Sequence, residues 1–221
     1  MPVTFTNRHG GVSQGVYSSL NLGDHVGDDV ADVLRNREVV SAIQGPVQFM
    51  NQVHGNRIAI IEEITDEAPT ADALVTGIPG ITLAVMVADC IPLLLTSKEV
   101  VAAVHVGRRG LVNSVAIKTI ELMREMGARD ISATIGPAIC GRCYEVSAEI
   151  HQEVISLFPS ADSRTNSGSV ALDLPKALLA VLHDAGIAVD ISHGACTVED
   201  ADLFSYRRDG ITGRQAGLVR L

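Results

Sequence analysis

The stretch that most limits how this chain can fold is its longest apolar run, ITLAVMVADCIPLLL at residues 81–95. This run contains Asp89 and Pro92 and is shorter than the roughly 20 residues that a membrane-spanning helix needs. Its first part, 81–90, is rich in β-branched residues and follows a glycine, which favours a buried strand. The run VVAAVHV at 100–106 predicts a second buried strand. Hydrophobic residues make up 47% and charged residues 19% of the chain, a balance typical of a globular protein.

Helices and further strands are predicted on both sides of these two strands, with no segment that resembles a linker. Apolar spacing and helix-stop signals predict helices at 27–45, 111–126, 147–158 and 174–186. Strands are expected at 47–53, 57–62 and 131–139, and a polar surface loop at 159–171. This mixture predicts one compact domain over residues 1–221.

Local signals refine three of these helices. Asp28 or Asp29 is expected to cap the first helix, Ser147 the third and Asp173 the fourth. The apolar stripe of the first helix is predicted to contain Val30, Val33, Leu34, Val40 and Ile43.

The charge and the termini of the chain exclude several classes of partner. The net charge of −9 argues against a nucleic-acid binder, whose affinity comes from Lys and Arg that neutralise phosphates. The first residues, MPVTFTNRHGG, lack the apolar segment of a signal peptide, so we expect a cytoplasmic protein with no membrane partner. Four cysteines are too few for a disulfide scaffold of this length. No heptad or apolar patch specifies an assembly, so a monomer or weak homodimer is expected.

Three segments place a metal-capable side chain at the end of a predicted strand. His54 lies in the turn NQVHGN, Cys90 ends the strand at 81–90, and His105 lies near the end of the strand at 100–106. Two imidazoles and a thiolate can bind a catalytic Zn²⁺ that keeps a fourth position for water. The same residues could form a nucleophile pair, in which His54 or His105 deprotonates Cys90. Spacing alone leaves both interpretations open.

An ordered set of motifs resembles one known family over nearly the whole chain. The motifs are TNRHGGVSQGVYSSLNLGDHVGDD, NQVHG, ADALVT, LAVMVADCIPLLL, AAVHVGRRG, IGPAICGRCYEV and FSYRRDGITGRQAGLV. They are similar to the successive signature blocks of the polyphenol oxidase, or laccase-domain, family, whose bacterial members are also called peptidoglycan editing factors. The resemblance implies an α+β fold with mixed sheets packed between flanking helices. It also implies a Zn²⁺ held by His54, Cys90 and His105.

The resemblance further implies purine nucleoside chemistry. Similar proteins cleave adenosine, inosine, guanosine and methylthioadenosine with phosphate, and they deaminate adenosine to inosine. Water activated by the metal would attack purine C6 in the deamination, and Asp89 could orient a ligand or exchange a proton. Gln52 and Asn21 could bind base or sugar. Arginines suit phosphate because their forked donors match its oxygens, and the candidates are Arg8, Arg109, Arg207 and Arg208.

One position departs from the family pattern. The family usually has Trp where this chain has Arg108. Arg108 could therefore stack on a purine or hold phosphate.

The sequence also bears on copper binding and on two functions other than nucleoside cleavage. A four-copper oxidase needs about ten histidines, and this chain has seven, so copper is possible but is not expected to be the working metal. Cys140 and Cys143 form a C-x₂-C pair and Cys196 lies apart from them; with no evident fourth ligand, free thiols are favoured over a redox pair or a second metal site. The alternatives to a nucleoside enzyme are a Cys90-dependent amide hydrolase that edits peptidoglycan and a metal- or nucleotide-binding regulator without turnover.

Overall fold

Two β-sheets lie at the centre of the fold in the computed structural model, which describes residues 3–221. The four-stranded sheet has the order β1 (Val3–Phe5), β12 (Gln215–Arg220), β5 (Thr82–Val87) and β2 (Val47–Gln48). The six-stranded sheet has the order β11 (Ala188–Asp190), β8 (Ser132–Ile135), β6 (Ile91–Thr96), β7 (Val101–Val106), β4 (Ala73–Thr76) and β3 (Ile58–Ile60). A separate antiparallel hairpin joins β9 (Asp162–Arg164) and β10 (Val170–Leu172).

Helices flank the two sheets. They are α1 (Val30–Gln44), α2 (Arg108–Val112), α3 (Val115–Glu125), α4 (Ala148–Leu157), α5 (Leu174–Asp184) and α6 (Tyr206–Asp209). Short 3₁₀ helices lie at Gly15–Tyr17 and Pro159–Ala161. Both sheets are mixed: β2 runs parallel to β5, β3 to β4 and β11 to β8, while the other pairs are antiparallel. The expected α+β fold, with mixed sheets between flanking helices, is confirmed.

The central strands are apolar on both faces because each face packs against another layer. In β7, Val101 and Ala103 pack between the two sheets, whereas Ala102 and Val104 face the layer formed by α2 to α5. Strand β5 alternates in the same way, with its other face toward α1. Residues two apart in a strand share a face, so His105 lies on the inter-sheet face with Ala103. His105 is therefore a polar side chain at one end of the apolar layer between the two sheets.

The predicted helix caps are confirmed, but the stripe of α1 is wrong in part. The side chains of Asp29, Ser147 and Asp173 each accept a hydrogen bond from a first-turn amide. Three of the five predicted stripe residues, Val30, Leu34 and Ile43, are exposed. The buried face of α1 instead consists of Val33, Asn36 and Val40, because the Asn36 amide donates hydrogen bonds to Ser13 Oγ and to the carbonyls of Ser19 and Asn21.

Several element boundaries also differ from the prediction. The single helix expected at 111–126 is two helices, because Ser114 adopts a left-handed conformation with φ 60° between α2 and α3. The loop expected at 159–171 contains a 3₁₀ turn and the start of a β-hairpin. The strands flanking His54 do not pair with each other, since β2 and β3 belong to different sheets. Within the described residues, every helix is too short or too polar to cross a bilayer.

Candidate functional site

Three metal-capable side chains meet at one end of the layer between the sheets. His105 is the penultimate residue of β7, Cys90 directly precedes β6, and His54 comes from the loop that connects the two sheets. In register, Pro92 of β6 lies opposite His105, which brings Cys90 beside it. One ligand atom from each of the three side chains lies within 4.8 Å of the other two. The predicted convergence of these residues is therefore present in the fold.

The three residues differ in exposure. Cys90 Sγ lies 3.8 Å from His54 Nε2, and the two imidazole rings meet edge to face with centroids 4.7 Å apart. His105 is buried, Cys90 is half-buried and His54 is exposed. The cluster thus has a buried side and a side open to solvent.

A buried carboxylate, Asp72, supports two of the three residues and was missed by the sequence analysis. Asp72 Oδ1 lies 2.9 Å from His105 Nδ1 and accepts a 2.8 Å hydrogen bond from the His54 amide. Asp72 Oδ2 accepts a 2.7 Å bond from the Gly55 amide. This arrangement leaves Nε2 of His105 free for a metal, as in the carboxylate–histidine pairs around zinc.

The backbone near the cluster has left-handed φ angles at His54 and at Asp89, whose φ is 95°, and Gly107 leaves little space for a side chain. His54 has φ 57°, a left-handed conformation that costs energy for a residue with a side chain. The two amide bonds to Asp72 stabilise this conformation. At Gly107 a Cβ atom would lie 3.0 Å from Cys90 Sγ and 3.2 Å from His54 Cδ2. A larger residue here would therefore push the thiol or the imidazole aside by a few tenths of an ångström.

The charges of the cluster reinforce one another. Burial raises the pKa of the Cys90 thiol, but the charges and hydrogen bonds of His105 and His54 together lower it to about 6. Burial lowers the pKa of His105, but Cys90 and Asp72 together raise it to about 9. Burial also raises the pKa of Asp72, and its bonds to His105, Gly55 and His54 bring it below the usual value. A thiolate therefore forms here near neutral pH.

The donor set fits zinc. Two imidazole nitrogens and one thiolate sulfur are a ligand combination of catalytic zinc sites, in which three protein ligands leave one position open. Ligand atoms of a tetrahedral zinc with bonds of about 2.0–2.3 Å are separated by about 3.3–3.8 Å. The 3.8 Å separation between Cys90 and His54 agrees with this spacing.

The cluster opens into a cavity of about 420 Å³. Three more of the predicted site residues, Gln52, Asp89 and Arg207, line it beside His54, Cys90 and His105. The other lining residues are His25, Met86, Val87, Ala88, Ile139, Tyr144, Tyr206 and Arg214. The cavity has the size and the mixed lining of a small-molecule site.

Asp89 and Gln52 make hydrogen bonds that hold the cavity walls. Asp89 Oδ1 accepts bonds from the hydroxyls of Thr197 and Ser205, and Oδ2 accepts one from the Arg207 amide. The side-chain amide of Gln52 exchanges two bonds with the backbone of Met86. Both residues join segments that are distant in sequence, and their contact with substrate stays a prediction.

Two arginines, Arg207 and Arg214, line the cavity together with the imidazole of His25. Arg207 lies over the Tyr144 ring, 5.2 Å from its centroid, and donates from Nη1 to the Glu145 carbonyl. Arg214 donates from Nη1 to the carbonyls of Thr212 and Gly213. Arg214 and His25 were missed, although Arg214 stands in the same motif as Arg207 and is separated from it by only six residues.

Four other predicted contacts lie away from the cavity lining. Arg8 stacks over Phe204, and Arg208 donates to the carbonyls of Thr197, Asp200 and Leu203. Arg109 is exposed on α2. Buried Asn21 accepts a hydrogen bond from the Arg214 amide, so it supports the cavity wall from behind. Substrate binding by these four residues stays a prediction.

Arg108 also lies outside this lining. Its Nη1 lies 3.6 Å from a carboxylate oxygen of Glu153. It also acts on the Tyr144 hydroxyl, whose pKa burial raises and Arg108 partly lowers. Arg108 can therefore influence the cavity through Tyr144.

A second group of metal-capable side chains comprises Cys140, Cys143, Cys196 and Glu199, whose ligand atoms all lie within 4.8 Å of one another. Burial raises the pKa of Cys140 and, more strongly, that of Cys143. Burial also acts to raise the pKa of Cys196, but backbone amide bonds bring it below the usual value. All four cysteines of the chain are free thiols.

The chain is similar to known proteins over nearly its whole length. A family model described as multi-copper polyphenol oxidoreductase laccase matches residues 2–221. A protein of Corynebacterium glutamicum named purine nucleoside phosphorylase is 45% identical, over 98% of this chain and 93% of that protein. A Deinococcus radiodurans protein of the same name is 39% identical, over 100% of this chain and 89% of that protein.

Solved structures share the fold. The crystal structure of Neisseria meningitidis protein NMB0706 superposes with a TM-score of 0.91 at 38% identity, covering 99% of this chain and 93% of that one. YlmD from Geobacillus stearothermophilus gives a TM-score of 0.85 at 33% identity, covering 99% and 92%.

Proposed function

Because the chain belongs to the family described as multi-copper polyphenol oxidoreductase laccase, and its relatives are named purine nucleoside phosphorylases, we propose that it cleaves purine nucleosides with phosphate. The observation that carries this proposal is one cavity that contains both the cluster of His54, Cys90 and His105 and two arginines, Arg207 and Arg214. A nucleoside and a phosphate require an apolar wall and a cationic one, and the cavity lining offers both.

We propose zinc as the metal, held by His54, Cys90 and His105. When bound, Zn²⁺ supplies Lewis-acid chemistry and lowers the pKa of a coordinated water. Asp72 fixes the orientation of His105 through Nδ1 and the position of His54 through its amide. Thiolate and imidazole ligands also bind copper, so copper loading is a possible variant of the site rather than its working form.

In phosphorolysis the residues of the cavity would have different roles. An oxygen of phosphate forms a bond to ribose C1′ while the bond from C1′ to purine N9 breaks, and the purine leaves with the electron pair and takes up a proton. Arg207 and Arg214 bind and orient the phosphate through their forked donors. Met86, Ile139 and Tyr144 provide the surface against which the purine packs.

The finer substrate assignment is also a proposal. Adenosine, inosine, guanosine and methylthioadenosine share the purine and the C1′–N9 bond that phosphorolysis requires. We further propose deamination of adenosine, in which water adds to C6 and ammonia leaves. For this reaction Asp89 and Gln52, at the cavity wall, are the candidates for contact with the purine edge.

The test is to incubate zinc-loaded protein with adenosine, with and without phosphate, and to separate the products. Phosphorolysis of adenosine predicts adenine and ribose-1-phosphate only when phosphate is present. Deamination predicts inosine without phosphate, and with phosphate it predicts inosine together with the hypoxanthine formed from it. Arg207→Ala is expected to raise the KM for phosphate about 10–100-fold, because it removes a charged donor. Arg164→Ala, at an exposed position on the β9 hairpin, is the matched control. Absence of all of these products would refute the proposed function.

A second function is favoured by the low pKa of Cys90. A thiolate beside protonated His105 is the arrangement of a cysteine nucleophile, so an amide hydrolase acting on peptidoglycan is the alternative. Metal-free protein that is active on amide bonds and inactivated by alkylation of Cys90 would support it. A non-enzymatic metal- or nucleotide-binding regulator predicts nucleoside binding without product.

We also propose that residues 1–221 act as one functional domain, since the cavity takes residues from His25 to Arg214. Four free thiols support a reducing, cytoplasmic setting. A monomer or weak homodimer, with no nucleic-acid or membrane partner, completes the proposal.

A further inference from the structure

Two turns with the same hydrogen-bond pattern lie side by side behind the cavity. In the first, the amides of Cys143 and Tyr144 both donate to the Cys140 carbonyl, at 3.0 and 3.1 Å. In the second, the amides of Glu199 and Asp200 both donate to the Cys196 carbonyl, at 3.1 and 2.9 Å. Each turn therefore places a cysteine and a second potential ligand three residues apart on the same side.

Backbone contacts hold the two turns in fixed register. Ala138 and Cys196 form a parallel bridge, in which the Ala138 amide donates to Ala195 and the Thr197 amide donates to Ala138. The Cys140 amide lies 3.4 Å from Cys196 Sγ and donates to it across the turns. An amide directed at a sulfur stabilises a thiolate at that position, as metal-bound cysteines require.

We propose that Cys140, Cys143, Cys196 and Glu199 bind a structural Zn²⁺. Four ligands complete a tetrahedral site, which is the arrangement of structural rather than catalytic zinc. Zinc–sulfur bonds of about 2.3 Å separate two sulfurs by about 3.8 Å, so ligand atoms already within 4.8 Å need only a small contraction. Glu199 Oε1 lies 3.6 Å from Cys143 Sγ and 3.9 Å from Cys140 Sγ, so these two distances are already close to those of a zinc site.

The number of ligands favours a metal over a disulfide, and a nearby arginine limits the charge that a metal would leave uncompensated. Three thiolates and one carboxylate exceed the charge of Zn²⁺, and Arg142, whose guanidinium lies 3.4 Å from Glu199, offsets part of that excess. A disulfide would use two of the three thiols and would leave the third and the carboxylate without a role. A metal ion uses all four groups.

The proposed zinc would fix the wall of the cavity. The Ile139 amide, next to Cys140, donates to the Asp89 carbonyl, and the Thr197 hydroxyl, next to Cys196, donates to Asp89 Oδ1. Tyr144, which lines the cavity, directly follows Cys143. Binding zinc would therefore tie the segments 139–144 and 195–199 to each other and to the residue that precedes Cys90.

The experiment measures zinc per chain in full-length protein purified under reducing conditions, dialysed against zinc and then freed of excess. We expect one zinc ion for each cluster. Cys196→Ser is expected to remove the zinc of the second cluster, and Cys90→Ser the zinc of the first. Glu199→Gln is expected to weaken the second site, and Glu121→Gln, at an exposed position on α3, is the matched control.

A second measurement uses the unmodified chain and so does not depend on a variant that folds. Alkylation followed by peptide mass analysis should show Cys140, Cys143 and Cys196 protected in the zinc-loaded protein and modified together after chelation. The proposal is overturned if the chain holds one zinc ion that Cys90→Ser removes completely. It is also overturned if added zinc leaves the alkylation of these three cysteines unchanged, or if a disulfide among them persists after reduction and zinc addition.

Discussion

The two cysteine-containing clusters differ in the number of their ligands and in what holds those ligands in place. The first cluster, His54, Cys90 and His105, lies at the end of two packed sheets, with a buried carboxylate behind it and a cavity in front. The second cluster, Cys140, Cys143, Cys196 and Glu199, lies on two turns whose own backbone bonds shape it, and three of its residues line a separate cavity of about 480 Å³. Three protein ligands leave a metal position open for chemistry, whereas four ligands complete a structural site. The number of protein ligands, more than the presence of a cavity, separates the two uses.

The largest expected effect comes from removing Asp72, the buried carboxylate behind the first cluster. Asp72→Ala leaves the buried His105 without its partner and the amides of His54 and Gly55 unpaired, so unfolding should require about 3–5 kcal/mol less free energy. Zinc affinity at the first cluster should fall about 10–100-fold. Urea denaturation and zinc titration measure the two quantities.

Asp72→Asn provides the control, because it keeps the shape and one acceptor and should cost less. Zinc at the second cluster should be unchanged in both variants. Equal zinc loss from both clusters would contradict the distinction between them.

A smaller effect is expected from Gly107→Ala. The added Cβ would crowd Cys90 Sγ and His54, and overpacking of this kind costs about 1–3 kcal/mol. Activity and zinc at the first cluster should both decline, while the second cluster serves as the internal reference. A crystal structure of this variant with zinc bound in both clusters would show that the space above Gly107 is not needed.

Changing the pH should distinguish the clusters without changing any residue. The pKa of Cys90 is lowered to about 6, so in metal-free protein its thiolate should form, and its alkylation accelerate, as the pH rises through about 6. The pKa values of Cys140 and Cys143 are raised above that of a free thiol, so these residues should react only at more alkaline pH. Alkylation rates resolved by peptide mass analysis test this order, and a reversed order would mean that the charges around Cys90 are misassigned.

The smallest effect is expected from Arg142→Ala. Arg142 and Glu199 are both exposed, so solvent and salt screen their attraction. Zinc affinity at the second cluster should fall only a few-fold, and the difference should shrink as salt is added. Competition with a chelator at two salt concentrations measures it, with the first cluster as the unchanged reference. A fall that persists at high salt would assign Arg142 a role beyond charge.

The metal-capable residues of the first cluster could be predicted from the sequence better than the groups that support them. Cys90 and His105 were recognisable because they lie in long apolar segments. The expectation that a strand ends at Cys90 was wrong, because β5 ends at Val87 and Cys90 precedes β6, which the sequence did not predict. Asp72 was missed because ADALVT reads as an apolar segment with one acid, and only the fold shows that its carboxylate reaches the His54 loop. Arg214 was missed for a similar reason, because its place in the cavity depends on how the last strand pairs.

The second cluster could not be predicted from the sequence for a different reason. Its two halves are far apart in sequence, because the hydrogen bond from the Cys140 amide to Cys196 Sγ joins residues that are 56 positions apart. Glu199 was not considered as a fourth ligand because a single acid three residues after a cysteine carries no specific signal. The exposed side of α1 was also misjudged, since a hydrogen-bonded asparagine replaces an apolar residue in its buried face.

The residues in and around the cavity come from two kinds of segment. Asp72, Cys90 and His105 belong to or adjoin central strands whose core packing limits substitution, whereas Tyr144, Tyr206 and Arg207 come from segments outside the sheets. Such segments accept insertions and replacements more readily than strands do. Natural variation in these outer segments can therefore reshape the cavity without disturbing Asp72, Cys90 or His105.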